Sequence, residues 1–124
     1  MKLRYLPSLL LLIFAASCSF DNPYIEDIKG EWECVSWMAE GKDKVKDSNT
    51  KVEFSFGQTD HYSSSLNGAK TEGVYRIVEN KLYTKASDDP YEIMVKITSL
   101  NEDELSFEMN RAGEKETMKF KKSK

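Results

Sequence analysis

The sequence predicts an all-β domain, an antiparallel up-and-down barrel of about eight strands, and three observations carry that prediction. From Gly30 onward apolar residues recur at every second position, as in "KVEFSF", where Val52, Phe54 and Phe56 alternate with Lys51, Glu53 and Ser55. This is the pattern of strands with one buried face. Short turn signals separate the alternating runs at regular intervals, which joins neighbours antiparallel. No window shows the spacing of three and four that a helix of useful length requires. An open sheet of this size leaves two unpaired edges and closure removes them, so a barrel is the expected solution over a sandwich. About eight strands enclose an interior that side chains just fill or that holds one small ligand.

Ahead of the domain, Lys2 and Arg4 supply a positive start, Leu9 to Phe14 an apolar centre and Ala15-Ala16-Ser17 a small-residue end. Residues 1–17 thus follow the layout of a secretory signal. The apolar run is about half of the roughly 20 residues needed to span a bilayer, so it exports the chain without anchoring it. The small triplet ending at Cys18 resembles the lipobox of bacterial lipoproteins. That resemblance implies cleavage before Cys18, a diacylglyceryl cysteine, and a further acyl chain of the palmitate type on the new amino terminus. The other reading is an ordinary signal cut near Ser17, with Cys18 an incidental thiol. Each buried methylene contributes about 0.8 kcal/mol, so several acyl chains hold a protein at a membrane. The expected address is the cell envelope, lipid-anchored at the outer membrane. Ser19 after the lipidated cysteine suits outer-membrane sorting in enterobacteria-like cells, and in Bacteroidetes-like cells Asp21, Glu26 and Asp27 near the anchor favour the cell surface, with the periplasmic face the other option. Residues 18–29, including "SFDNPYIEDIK", read as a lipidated tether.

Residues 30–122 form one domain, and its strands follow in order. They are "GEWECVSWM", "KVEFSF", "TDHYSSS", "TEGVYRIV", "KLYTK", "PYEIMVKITSL", "DELSFEMN" and "KETMKFKK". Gly57-Gln58 suits a type II′ hairpin with Gly at the first central position. Glu79-Asn80, Asp88-Asp89-Pro90, Asn101-Glu102-Asp103 and Arg111-Ala112-Gly113 supply the other breaks. Tyr91, Ile93, Val95 and Ile97 share a face, as do Leu105, Phe107 and Met109, and Met118 with Phe120. Trp37 falls opposite Trp32 in a regular strand, so a bulge or a surface aromatic patch is expected there.

"GEWECVSW", "FSFGQTDHY", "GVYRIVENKLY" with Gly73, Tyr75, Ile77, Asn80 and Leu82, "ITSLNEDELSFEM" and the closing "MKFKK" together resemble the lipocalin-like domain of small bacterial, Bacteroidetes-type lipoproteins, over about residues 28–122. The resemblance implies that Gly30 and Trp32 open the first strand and that the Trp32 indole plugs the closed end of the barrel. It also implies a basic side chain of the last strand, Lys119 or Lys121, over that indole, a cation–π contact.

Chemistry is mostly excluded. The net charge is −3 and becomes more acidic once Lys2 and Arg4 leave with the signal, so no electrostatic case exists for nucleic acid. The basic end "KFKKSK" reads as a solvated tail, with contact to anionic head groups near a membrane as the other reading. Ser63 and Ser65 share a face with His61, the only histidine, without forming a nucleophilic triad. Lone histidine and scattered acids do not make a metal site, and Asp88-Asp89 and Glu102-Asp103-Glu104 read as turn solvation. No glycine-rich phosphate loop occurs. An acylated Cys18 leaves Cys34 without a disulfide partner, as a small hydrophobe in a strand. No enzyme and no cofactor are expected. Among the aromatic residues most rings belong to the core, and Met38, Phe54, Tyr62, Tyr75 and Ile77 are the candidates to line a ligand space at the mouth. Two functions follow: a monomeric lipoprotein whose barrel binds a small hydrophobic ligand, or a solid barrel that presents loops to an envelope protein or glycan, such as a hydrolase inhibitor or an accessory of a surface complex.

Overall fold

Nine strands and two short helices form between residues 22 and 123, the residues that the computed structural model describes; the signal and Cys18 lie outside them. Helix α1, Pro23–Asp27, starts where Asn22 caps it, its side chain accepting from the Tyr24 amide at 3.1 Å. Proline suits the first helical turn, where its missing N–H would have no partner anyway. Part of the segment expected as a tether is therefore folded, and Ile28 just after it is completely buried.

The strands are β1 Gly30–Ala39, β2 Lys42–Asp43, β3 Val52–Phe56, β4 His61–Leu66, β5 Ala69–Val78, β6 Lys81–Ala86, β7 Ile93–Leu100, β8 Glu104–Arg111 and β9 Glu114–Lys122, with helix α2, Lys44–Asp47, between β2 and β3. All pairings are antiparallel. β1 pairs with β3, the rest follow in chain order to β9, and β9 pairs back onto β1. This is the closed eight-stranded barrel expected from the sequence, with β2 a two-residue addition to the end of β1.

Closure depends on turns that reverse the chain without splaying the strands. Glu40-Gly41, Asn67-Gly68 and Ala112-Gly113 place both central residues at positive φ, the conformation whose twist matches a two-residue hairpin. Gly57-Gln58 does not make the expected type II′ turn. Gly57 is not at positive φ, and its amide instead bonds to the His61 carbonyl at 2.9 Å, so the connection loops out through residues 58–60. β7 likewise starts at Ile93, later than expected, because the Asp89 carboxylate caps the Tyr91 amide at 2.9 Å and holds that tyrosine in the preceding loop.

β1 carries the bulge. Cys34 pairs with Phe120 and Ser36 with Lys119, so one extra residue, Val35, sits on the β1 side. Beyond it the facing reverses, turning Trp37 inward and Met38 outward. At Gly73, opposite Tyr62 in β4, a Cβ would overlap the Lys85 carbonyl and come within 2.8 Å of Ala86 Cα, so only glycine lets β5 and β6 approach this closely.

The lower half of the barrel is solid. Trp32 is fully buried, and its indole Nε1 donates to the Ile28 carbonyl at 2.8 Å. Gly30 opens β1 at φ 124, a conformation that L side chains rarely adopt. The cation over the Trp32 ring is Lys122, with Nζ 4.6 Å from the centroid and donating to the Lys29 carbonyl at 2.7 Å. Lys119 and Lys121, expected in this role, are exposed on the outer face. Alternation explains it, since Met118 and Phe120 face inward and so does Lys122, two residues on. Phe54 stacks on Phe56 at 5.6 Å and meets Phe107 and Phe120 edge-on at 6.0 and 5.6 Å, a layer that floors the upper half. Among the described residues the buried core runs from Ile28 to Phe120, all of it after residue 19.

Cys34 belongs to this core. Its Sγ lies 3.3 Å from the Ser36 carbonyl, and burial pushes the thiol from 9.0 up to about 11. The folded thiol holds its proton more tightly than the unfolded one, so its contribution to stability is complete below pH 9.0 and is lost as pH rises toward 11. At pH 8 iodoacetamide should leave Cys34 unmodified in the folded chain and alkylate it in urea, read by intact mass. Rapid native alkylation would show that the thiol is not core.

Candidate functional site

Above the aromatic floor the strands enclose an open-mouthed cavity of about 450 Å3. Most of its wall is apolar: Trp37 from β1, Val52 and Phe54 from β3, Leu82 from β6, Val95 from β7, Phe107 from β8 and Met118 from β9. Polar groups are few and localised. Hydroxyls of Ser64, Thr71 and Thr84 face the space beside Tyr62, while Asp88, Asp89 and Arg111 stand at the mouth. Apolar walls with a few placed polar groups are the usual composition of a small-molecule pocket.

The rim is braced by one constellation. Trp37 Nε1 donates to the Glu116 carboxylate at 2.9 Å, and Arg111 Nε lies 3.4 Å from the other carboxylate oxygen. Glu116 is only 5% exposed, and those two bonds compensate its burial. Lys44 of α2 stands 4.5 Å over the Trp37 ring. Asp43 ties the bulge to the same helix, accepting from Ser36 Oγ at 3.0 Å, the Trp37 amide at 3.2 Å and the Val45 amide at 3.1 Å. Partial desolvation would raise the Asp43 carboxyl, but these donors prevail and hold it below its ordinary value. Desolvation raises the Tyr62 hydroxyl, a hydrogen bond with Thr84 opposes the shift, and the charges of Asp88 and Asp89 add to it, so the hydroxyl stays neutral at the cavity wall.

Of the residues expected to line a ligand space, Phe54 and Tyr62 border the cavity. Met38 does not; the bulge turns it to the outer surface, where it is 40% exposed. Tyr75 and Ile77 face inward but sit at the closed end. The Tyr75 hydroxyl donates to the Gly57 carbonyl at 3.0 Å, its ring meets Phe56 at 5.0 Å, and Ile77 packs against the same core. Alternation tells which way a side chain faces and not how high in the barrel it sits. Trp37, Glu116 and Arg111 are the rim residues that pattern reading did not assign to a site. An acid at the inward position two before Met118 was the available signal for the second of them. His61 is exposed beside Asp60 at 3.3 Å, away from the cavity. Among the described residues no cluster of three or more metal-ligating side chains occurs.

No curated protein matched the chain in comparison. The lipocalin-like domain family, by contrast, matches residues 28–107, well over half of the chain, from the buried Ile28 through the Trp32 plug to Phe107 in the cavity floor. Strand β9, which closes the wall on β1, follows the matched stretch. With a closed eight-stranded barrel, a tryptophan-plugged base and an open upper cavity, the chain belongs to the lipocalin-like domain family.

Proposed function

We propose that this chain is a non-enzymatic carrier of the cell envelope, which holds a small hydrophobic molecule in the upper half of its barrel and is tethered to the outer membrane by lipid on Cys18. The observation that carries the reading is the cavity of about 450 Å3, open at one end and walled by aromatic and aliphatic side chains. Burying such surface stabilises a bound chain by about 25 cal/mol per Å2, which favours an apolar ligand over a polar one. The lipobox-like triplet before Cys18 and the acids near the anchor support a place at the envelope, acting as a monomer on either face of the outer membrane. A hollow upper barrel fits a carrier better than a solid scaffold that displays loops to a protein or glycan.

The two tryptophans make the test internal. Trp37 lines the cavity, whereas Trp32 is sealed under Lys122 at the opposite end. Residues 19–124, which lack Cys18, are titrated with a panel of acyl-chain and aromatic compounds. At least one should quench or shift the tryptophan emission saturably. The response should vanish in Trp37→Phe and persist in Trp32→Phe. A silent panel, with no shift in melting temperature either, would remove the carrier reading and leave the interaction module.

A further inference from the structure

The barrel wall is not continuous. β7 and β8 pair from Leu100–Leu105 only as far as Lys96–Glu108. Beyond that point Ile93–Val95 pair with β6 alone and Met109–Arg111 with β9 alone. Two strand edges thus part toward the mouth, each presenting backbone groups that the other does not satisfy. Inside the slot is the main cavity, bounded there by Ile93, Val95 and Met109. Outside it is a separate groove of about 310 Å3, bounded by Met94, Lys96, Glu108, Met109, Asn110 and Lys115. Met109 borders both spaces, and methionine is the apolar side chain best able to swing aside.

Charge separates the two exits. The mouth carries Asp88, Asp89 and the Glu116 carboxylate against Arg111 and Lys44. The outer groove carries Lys96 and Lys115 against Glu108, with Lys81 directly across from Lys96 on the neighbouring strand. Glu108 pairs with Lys115 at 3.5 Å, and Lys96 makes no ion pair among the described residues. A negative group is repelled at the mouth and accepted at the groove.

We propose that the ligand is a single-chain anionic amphiphile bound through the wall: its tail fills the barrel, its chain passes between β7 and β8 over Met109, and its charged head rests outside on Lys96 and Lys115. The inference rests on the carrier reading and adds the ligand's charge and its route.

The test uses three probes of equal chain length, hexadecanoate, hexadecanol and hexadecyltrimethylammonium, titrated into residues 19–124 by calorimetry at low salt. Hexadecanoate should bind about five- to tenfold more tightly than the alcohol, the gain expected of two partly exposed ion pairs, and the ammonium most weakly. Lys96→Gln with Lys115→Gln should bring hexadecanoate down to the affinity of hexadecanol and leave hexadecanol unchanged. Asp88→Asn with Asp89→Asn probes the other exit, and with the head in the groove it should change hexadecanoate affinity less than the lysine pair does. All four positions are on the surface or in a loop, and an unchanged melting temperature verifies folding. If the acid binds no better than the alcohol, or if the aspartate pair alters its affinity while the lysine pair does not, the head is not in the groove and the inference is overturned. If none of the three probes binds, the carrier reading falls and this inference with it.

Discussion

Trp32→Ala should destabilise the barrel by about 3–5 kcal/mol, the cost of removing a large aromatic side chain from a core that cannot collapse around the space. Three features place the substitution at the upper end of that range. Trp32 is completely buried, its indole is the partner of the Ile28 carbonyl at 2.8 Å, and its ring is the seat of the Lys122 ammonium. Losing it unseats α1 and Ile28 together with the end of β9, so the closed end loses its seal from both chain termini. Urea unfolding followed by far-UV circular dichroism measures the effect, with Trp37 emission as an independent probe of the open end. Lys122→Met should cost only about 1 kcal/mol, because it keeps the stem and removes the charge over the ring. A Trp32→Ala change below 1 kcal/mol would show that the plug does not hold the base closed.

Thr84→Trp should abolish ligand binding, lowering affinity more than tenfold, while leaving the fold intact. Thr84 is an inward position of β6, between Tyr75 on one side and Ile93 on the other in the pairing register, and it faces the open cavity above the aromatic floor. In a filled interior an added indole would force neighbours out of their rotamers at a cost of about 1–3 kcal/mol. Here it enters the unfilled space of about 450 Å3 that the ligand would otherwise occupy. The measurement pairs a binding titration with a thermal melt. Loss of binding at a nearly unchanged melting temperature is the expected result. A large drop in melting temperature would mean that the space at Thr84 is already packed.

The difference between Lys122 and the two lysines expected in its place is instructive, because the information was present in the sequence. Inward-facing Met118 and Phe120 place residue 122 on the same face by simple alternation, and Lys119 and Lys121 on the other. Asn67-Gly68 is a similar case, since that dipeptide between alternating runs is the strongest short hairpin signal and the structure puts both residues at positive φ. Trp37 and Met38 are different. Alternation from Trp32 sends Met38 inward, and only the extra residue at Val35 reverses it. A bulge there was an open possibility on paper, yet where β1 absorbs it depends on its register against β9, a strand about eighty residues away in the chain.

The sequence by itself determined that the domain is all-β and that its strands follow one another antiparallel. Those features are local: each follows from period-two alternation and turn residues within a few positions of one another. Only the tertiary structure decided which inward side chains lie at the packed base and which at the hollow mouth, that Glu116 is held between Trp37 and Arg111, and that β7 and β8 part above Lys96. Height within a barrel and continuity of its wall depend on the stagger of strands distant in sequence, and no single strand's pattern encodes that stagger.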